Sequence, residues 1–280
     1  MSAIPDAPVI AFEPFKVAHL DAAVALSRAE SWPHRREDWA LGLSLSKGVV
    51  AMVDGRLVGT AFATPFGPVA MLNMIIVAPE MRGQGLGRLL VERAMARVRA
   101  DEWRLVATSD GLPLYRKLGF VDGVAIHQHQ GLASGGGRPE GIAWLDACEI
   151  DQLAALDQAA TGMDRAALIG AVAADGRIAA IKENGRLAGF VALRPFGRGQ
   201  VAGPVIARHP DDARRLLSFA LAECDGRFLR VDTQADSGLA DWLTDKGLAP
   251  VGGGTSMVRG GRVPPDPQWR SFALAAQAFG

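Results

Sequence analysis

The sequence predicts an α/β (α+β) protein of two related domains, each built around one sheet. Three observations carry this. The chain has 280 residues, more than one hydrophobic core usually serves. It repeats itself at a fixed offset. Within each copy, strand-like alternation and helix-like spacing take turns along the chain.

The repeat sets the architecture. Gly55-Arg56-Leu57-Val58-Gly59 recurs as Gly185-Arg186-Leu187-Ala188-Gly189, and Pro65-Phe66-Gly67 recurs as Pro195-Phe196-Gly197, both 130 residues on. Asp21 and Leu26 fall on Asp151 and Leu156 at the same offset. Arg88-Leu89-Leu90 then matches Arg215-Leu216-Leu217 at an offset of 127, so the second copy lacks three residues between 78 and 87 of the first. The gap falls on a glycine turn.

The elements follow in order. Apolar residues at three- and four-residue spacing predict helices over Val17–Arg28 and Cys148–Ala159. Strands are expected at Gly48–Val53 and Leu57–Thr64. Asp54-Gly55 joins them as a hairpin turn, and Asn184-Gly185 does the same in the copy. An apolar strand, Val69–Val77, leads through the glycine turn to a helix over Gly85–Ala100. A strand at Arg104–Thr108 and a short helix, Leu112–Leu118, stopped by Gly119, come next. Residues His127–Glu140, with Ser134-Gly135-Gly136-Gly137, read as the edge of the first domain and a flexible link. The domains are therefore expected at 1–132 and 141–280.

Composition excludes several classes. Thirty basic and thirty acidic groups cancel, so no field gathers nucleic acid or an anionic membrane surface. No apolar stretch approaches the ~20 residues that cross a bilayer. The segment Met1–Asp6 lacks the basic-then-apolar pattern of a signal peptide. Cys148 and Cys224 show no CxxC spacing and read as free thiols, which suits a cytoplasmic setting. His127 and His129 alternate along a strand without further ligands at metal spacing, so no metal is expected.

The strongest chemical signal is Arg82-Gly83-Gln84-Gly85-Leu86-Gly87, between a strand ending at Val77 and a helix carrying Leu89, Leu90, Val91 and Met95. A glycine turn that opens a helix points several N–H groups at one place and adds the positive end of the helix dipole, which suits a diphosphate. Arg82 and Arg88 can add charge there. Neither a Walker loop nor the GxGxxG spacing is present.

At this point the sequence resembles the GNAT superfamily of acyl-CoA-dependent N-acyltransferases. The superfamily's Arg/Gln-x-x-Gly-x-Gly/Ala segment matches Arg82, Gly85 and Gly87, and its Tyr-x-x-x-Gly-Phe segment matches Tyr115, Gly119 and Phe120. The resemblance covers about residues 10–130 well, and the second half only as an eroded copy. It implies two tandem GNAT folds, each a mixed central sheet flanked by helices. It implies acetyl-CoA as co-substrate, with the loop amides of Gly83, Gln84, Gly85, Leu86, Gly87 and Arg88 on its diphosphate. The backbone of Ile75, Ile76 and Val77 would pair with its pantetheine arm. Thr108 stands where relatives usually carry a cofactor-holding Asn. Tyr115, the chain's only tyrosine, would protonate the departing thiolate, and a backbone N–H of the Ile75–Val77 strand would serve the tetrahedral oxyanion.

The acceptor side is less defined. The strand Val69–Val77 carries no ionisable side chain, and only Asn73 is polar. Asn73 reads either as a satisfied strand residue or as an acceptor ligand. The general base lies elsewhere, acts through water, or is unnecessary for an amine of low pKa. Trp32-Pro33-His34-Arg35-Arg36-Glu37-Asp38-Trp39 reads either as a capped helix start or as an acceptor pocket using Trp32 and His34. In the second copy the loop becomes Arg208-His209-Pro210-Asp211-Asp212-Ala213-Arg214, and the tyrosine position becomes Leu243. Asp211 and Asp212 at a helix start would repel a diphosphate.

The expected function is transfer of an acetyl group from acetyl-CoA to a primary amine of a small molecule by direct attack. The acceptor is expected where the Trp32–Trp39 segment faces the second domain. The alternatives are a non-catalytic acyl-CoA-binding module, a longer acyl group or a hydroxyl acceptor. The large apolar residues Trp269, Phe272, Leu274 and Phe279 beyond Pro264-Pro265-Asp266-Pro267 need burial.

Overall fold

The computed structural model describes residues 9–146 and 149–280. Cys148, expected at the start of a helix, lies outside the described residues. The chain divides into two compact units. The first comprises residues up to Thr64 together with Leu72–Val98; the second comprises Pro65–Met71 and Arg99–Gly280.

In the first unit the sheet runs β1 (Ala11–Pro14), β2 (Lys47–Val53), β3 (Arg56–Phe66), β4 (Val69–Val77), with the Pro65–Met71 hairpin tip of β3 and β4 belonging to the second unit. Helices α1 (Leu20–Ala29) and α2 (Arg36–Leu45) lie between β1 and β2 in the chain, and α3 (Leu86–Met95) follows β4. Asp54 and Gly55 both take positive φ, 50° and 76°, the pair of left-handed residues that a two-residue hairpin of this twist requires. α1 and α3 each bury one stripe, Leu20, Ala23, Val24 and Leu26 on one and Leu86, Leu90, Val91 and Ala94 on the other. α3 ends at Met95, five residues before the expected Ala100, and tightens into turns at Arg97 and Val98. The aromatic centre of the unit is Trp39. Its ring stacks on Phe15 at 5.8 Å and meets Phe62 edge-on at 5.6 Å, and its indole N–H donates to Ser27 Oγ at 3.2 Å.

The second unit holds β5 (Glu102–Ala107), α4 (Leu112–Lys117), β6 (Val121–Leu132), β7 (Ile142–Trp144), α5 (Ile150–Thr161), α6 (Ala166–Asp175), β8 (Arg177–Glu183), β9 (Arg186–Phe196), β10 (Gly199–Ala207), α7 (Pro210–Glu223), β11 (Phe228–Gln234), α8 (Ala240–Asp245), β12 (Ala249–Gly260) and β13 (Arg270–Ala273). Its sheet order is β5-β12-β6-β11-β13-β10-β9-β8-β7, and β5 also pairs in parallel with Val69–Met71 at the start of β4. Leu216, Leu217 and Leu221 of α7 pack with Leu229, Val231, Leu239, Leu243 and Phe272 in one buried cluster.

The repeat is visible in the coordinates. β8, β9, β10 and α6 have the bounds of β2, β3, β4 and α2 shifted by 130 residues. The β2/β3 register breaks between Ala51 and Met52, and the β8/β9 register breaks at the corresponding Ile181 and Lys182. Asn184 and Gly185 repeat the turn, again at φ 50° and 76°.

The long strands after α4 and α8 change places. β6, from the first copy, pairs antiparallel with β11 of the second over seven residues; β12, from the second copy, pairs with β5 of the first over six. β6 and β12 pair with each other between them. The compact units follow this exchange, and β6 is an interior strand with a neighbour on each side. Ser134 and Gly135, expected in a flexible link, are tied down: their amides donate to Lys246 O and to Asp225 Oδ1.

Trp39→Ala is expected to cost the first unit about 3–5 kcal/mol, the usual loss for emptying a fully buried tryptophan site. Trp32→Ala, at a half-exposed position, is expected to leave stability nearly unchanged. Denaturant unfolding of the two variants against the parent checks both.

Candidate functional site

The glycine loop is built by handedness. After β4 the chain makes a single 3-10 turn over Pro79–Met81. Gly83 and Gly85 then take φ of 75° and 80°, and Gly85 is the N-cap of α3. An L side chain in that region costs roughly 1–2 kcal/mol. A Cβ on either glycine would meet nothing within 4 Å among the described residues, so the loop is open on that side. The first-turn amides of α3 lack intrahelical acceptors, and no acidic side chain sits in that turn. Leu86, 1% exposed, fixes the turn to the core beneath.

The expected arginines are engaged by carboxylates. Arg82 donates through Nε to Val77 O at 3.1 Å and pairs with Glu30 at 2.5 Å, clamping the end of β4 to the end of α1. Arg88 pairs with Glu92 one turn on, at 2.7 Å. Gln84 donates to Glu80 O at 3.2 Å. The positive character of the loop is therefore mainly that of its backbone.

Within β4, Met74 takes φ 50°, a strained value for a residue other than glycine. Thr60 on β3 supports this point, its hydroxyl donating to Met74 O at 2.6 Å. Ile75, Ile76 and Val77 lie beyond it. Asn73 lies just before it and is 6% exposed. Its Nδ2 donates to Thr64 Oγ1 at 2.8 Å, and Thr64 shares a 2.6 Å hydroxyl contact with Ser46. Its Oδ1 is buried with no hydrogen-bond partner among the described residues. Sequence reasoning found Asn73 but not Thr60, Thr64 or Glu30. The signal for the threonines was their four-residue spacing in an otherwise apolar strand, which puts both on one face.

The Trp32–Trp39 segment separates into two roles. Arg35 N–H donates to Asp38 Oδ2 at 2.8 Å, and the Arg35 guanidinium grips the same carboxylate at 3.2 and 2.9 Å. Asp38 thus caps α2 and Trp39 is core. Trp32 and His34 remain beside each other, with ring centroids 5.5 Å apart.

Within the second unit, Tyr115 sits on α4, 7% exposed and edge-on to Phe120 at 6.1 Å. A side chain on Gly111 would strike its ring at 2.7 Å. Its hydroxyl has no hydrogen-bond partner among the described residues, and burial pushes the phenol pKa well above its ordinary value. Thr108 is exposed just before α4, its carbonyl accepting from the amides of Gly111 and Leu112. His129 is buried on β6, its pKa lowered first by desolvation and next by His127. The second copy's loop leads into α7, where Asp211 and Asp212 occupy the first turn and pair with Arg214 and Arg215. Among the described residues no cluster of three metal-ligating side chains occurs, and no helix is long and apolar enough to cross a membrane.

Comparison with known proteins matches these two halves. Residues 45–122 fit one family model described as an acetyltransferase (GNAT) domain, and residues 153–273 fit another of the same description. An uncharacterized N-acetyltransferase of Bacillus subtilis is 26% identical over 240 residues, 82% of this chain and 84% of the relative. A holothin acyltransferase of Pseudoalteromonas is 27% identical over 268 residues, 87% of this chain and 88% of the relative. The fold of a candidate acetyltransferase of Pyrococcus horikoshii superposes with a TM-score of 0.82 at 18% identity, covering 100% of this chain and 99% of that one. Matched in each half by a family model of that description, the chain belongs to the GNAT acetyltransferases, as an acyltransferase with two tandem domains.

Proposed function

We propose that the first half, residues 1–132, transfers an acetyl group from acetyl-CoA to a primary amine of a small-molecule acceptor, and that the second half, residues 141–280, does not bind the cofactor. One observation carries this: the loop with two left-handed glycines opens a helix whose first turn is free of acids, whereas its counterpart opens on Asp211 and Asp212. The same scaffold offers an anion site in one half and fills it with carboxylates in the other.

In this reading the amides of residues 83–88 receive the diphosphate, and the open space over Gly83 and Gly85 lets phosphate oxygens approach the backbone. Ile75, Ile76 and Val77 present backbone groups to the extended arm of the cofactor, and Thr108 contributes a further contact. Tyr115 holds a proton for the departing sulfur. Its buried phenol stays neutral through the physiological range, as a general acid for a thiolate must. Asn73 Oδ1, buried and without a partner among the described residues, accepts a hydrogen bond from the acceptor amine, while Trp32 and His34 line the acceptor side. Asp38 supplies no base, because Arg35 already holds both its oxygens. Attack is direct, without a covalent enzyme intermediate. The reaction is expected in the cytoplasm, with neither nucleic acid nor membrane as partner.

Calorimetry with acetyl-CoA is expected to give one site per chain. Gly85→Val should weaken that site at least ~10-fold, since the left-handed turn costs roughly 1–2 kcal/mol with a side chain and the Cβ would point into the cradle. Two equal sites, or an unchanged affinity in the variant, would contradict the assignment.

Tyr115→Phe is expected to lower kcat by ~10²–10⁴-fold while the Kd for acetyl-CoA changes little. Single-turnover kinetics beside equilibrium binding separates the two.

Because Tyr115 is the only tyrosine, the ultraviolet phenolate band reports it alone. Its midpoint in the folded protein should lie well above the ordinary ~10. The sign for stability follows. The neutral phenol is favoured in the folded state, so its contribution is complete below ~10 and is lost as pH rises beyond that value.

A further inference from the structure

β10 and β11 start side by side as parallel strands, but their ladder holds only Gln200 with Leu229 and Val201 with Arg230. Beyond that point the strands diverge and β13 enters between them. It pairs antiparallel with β10, Val205 opposite Ala273, Ile206 opposite Ser271 and Ala207 opposite Arg270. On its other side Thr233 of β11 faces Ala273, and Leu274 N–H donates to Asp232 O at 2.8 Å.

At the repeat offset of 130, Val205, Ile206 and Ala207 are the counterparts of Ile75, Ile76 and Val77. Those are the residues whose backbone is assigned to the extended arm of acetyl-CoA in the first half. We propose that Arg270–Gly280 is an intramolecular ligand of the second half. Its strand, Arg270–Ala273, is held, in place of an acyl carrier, on the strand edge that the first half offers to its cofactor, and a turn over Gln277–Phe279 folds the rest back so that Ala275 N–H donates to Gly280 O. The proposal rests on the acetyl-CoA reading of Ile75–Val77.

The site is built to receive a peptide. Gly203 is the counterpart of Asn73, and a Cβ there would lie 2.0 Å from Leu274 O. A glycine is needed where the first half keeps an amide, because a peptide carbonyl occupies the space. Gln277 donates to the Asp232 carboxylate at 3.0 Å, and Arg194 donates to Ala275 O at 3.4 Å. Farther along, Arg165 donates to Phe279 O at 2.8 Å and also to Gly280 O, while Asp157 holds the rest of its guanidinium at 2.8 and 2.6 Å. Arg165 and Asp157 are fully buried, so this pair serves the segment and not the surface. Phe272, Ala273, Leu274, Ala275, Ala276 and Phe279 are all buried. Backbone pairing with pockets for alternate side chains is the usual chemistry of strand addition.

The test cuts the folded chain. A protease recognition sequence is inserted between Pro265 and Asp266, within an exposed stretch, in the otherwise complete protein. After cleavage, the released piece is expected to co-elute with the remainder in size-exclusion chromatography. A synthetic peptide of residues 266–280 should exchange into the site, and the same peptide with Leu274→Pro should bind at least ~10-fold more weakly, having lost the donor to Asp232 O. Departure of the cut piece, or equal binding of the two peptides, overturns the proposal. In the uncut chain, Gly203→Ala should raise amide exchange at Leu274 at least ~10-fold, and unchanged protection there also overturns it. Acetyl-CoA binding is titrated separately on the uncut parent, so failure of the cofactor reading shows as absent binding while retention of the segment is scored by itself. A second equivalent of acetyl-CoA bound with the segment still in place counts against the proposal.

Discussion

A strand inside a sheet must find hydrogen-bond partners on both sides, and this obligation organises the second unit. A buried backbone group left unpaired costs about 1–3 kcal/mol, so a gap of several residues between diverging strands cannot stay empty of partners. β10 and β11 part after two paired residues. β5 and β11 each lack a long neighbour from their own copy. The answers are non-local in every case: β12 comes back to β5, β6 reaches forward to β11, and β13 closes the space beside β10. The helices and hairpins of each copy are local constructions. The sheet that joins them is made by segments far apart in the chain.

The two copies show how one scaffold supports opposite electrostatics. α3 begins on a left-handed glycine with bare amides; α7 begins on Pro210 with two aspartates, each answered by an arginine three residues on. The arginines of the first loop are not free charges either, since Glu30 and Glu92 hold them. What distinguishes the halves is backbone geometry and the sign of a few capping groups. Asn73 and Gly203 make the same point at one position. An amide with an open acceptor stands in one copy, and a bare Cα against a peptide carbonyl stands in the other.

Much of this was legible in the sequence where the signal is local. The hairpin turns at Asp54-Gly55 and Asn184-Gly185, the strand β4 and the glycine loop follow from two-residue periods and from residues that tolerate left-handed backbone. The repeat offset carried over to strand bounds and even to the register break at Ala51. The partner of each strand was not legible. Nothing in the pattern of β6 or in the glycines after it names β11 and β12 as its neighbours. Trp39 was grouped with Trp32 by proximity in sequence. Trp32 stays in the loop before α2, whereas Trp39, in the first turn of α2, faces the core. The capture of Arg82 by Glu30 spans 52 positions and leaves no periodic trace.

The exchange of strands has a consequence for how the chain is made. β5 is complete once Ala107 has left the ribosome, but its neighbour β12 ends at Gly260. At ~5–20 residues per second, that neighbour arrives roughly 8–30 s later. During the interval one long side of β5 has no partner from its own chain, and a nascent strand edge is a template for any other strand that passes. The first copy therefore cannot finish its sheet during its own synthesis. Its maturation waits on translation of the second, and a ribosome that stalls between the copies would release a product with an open edge.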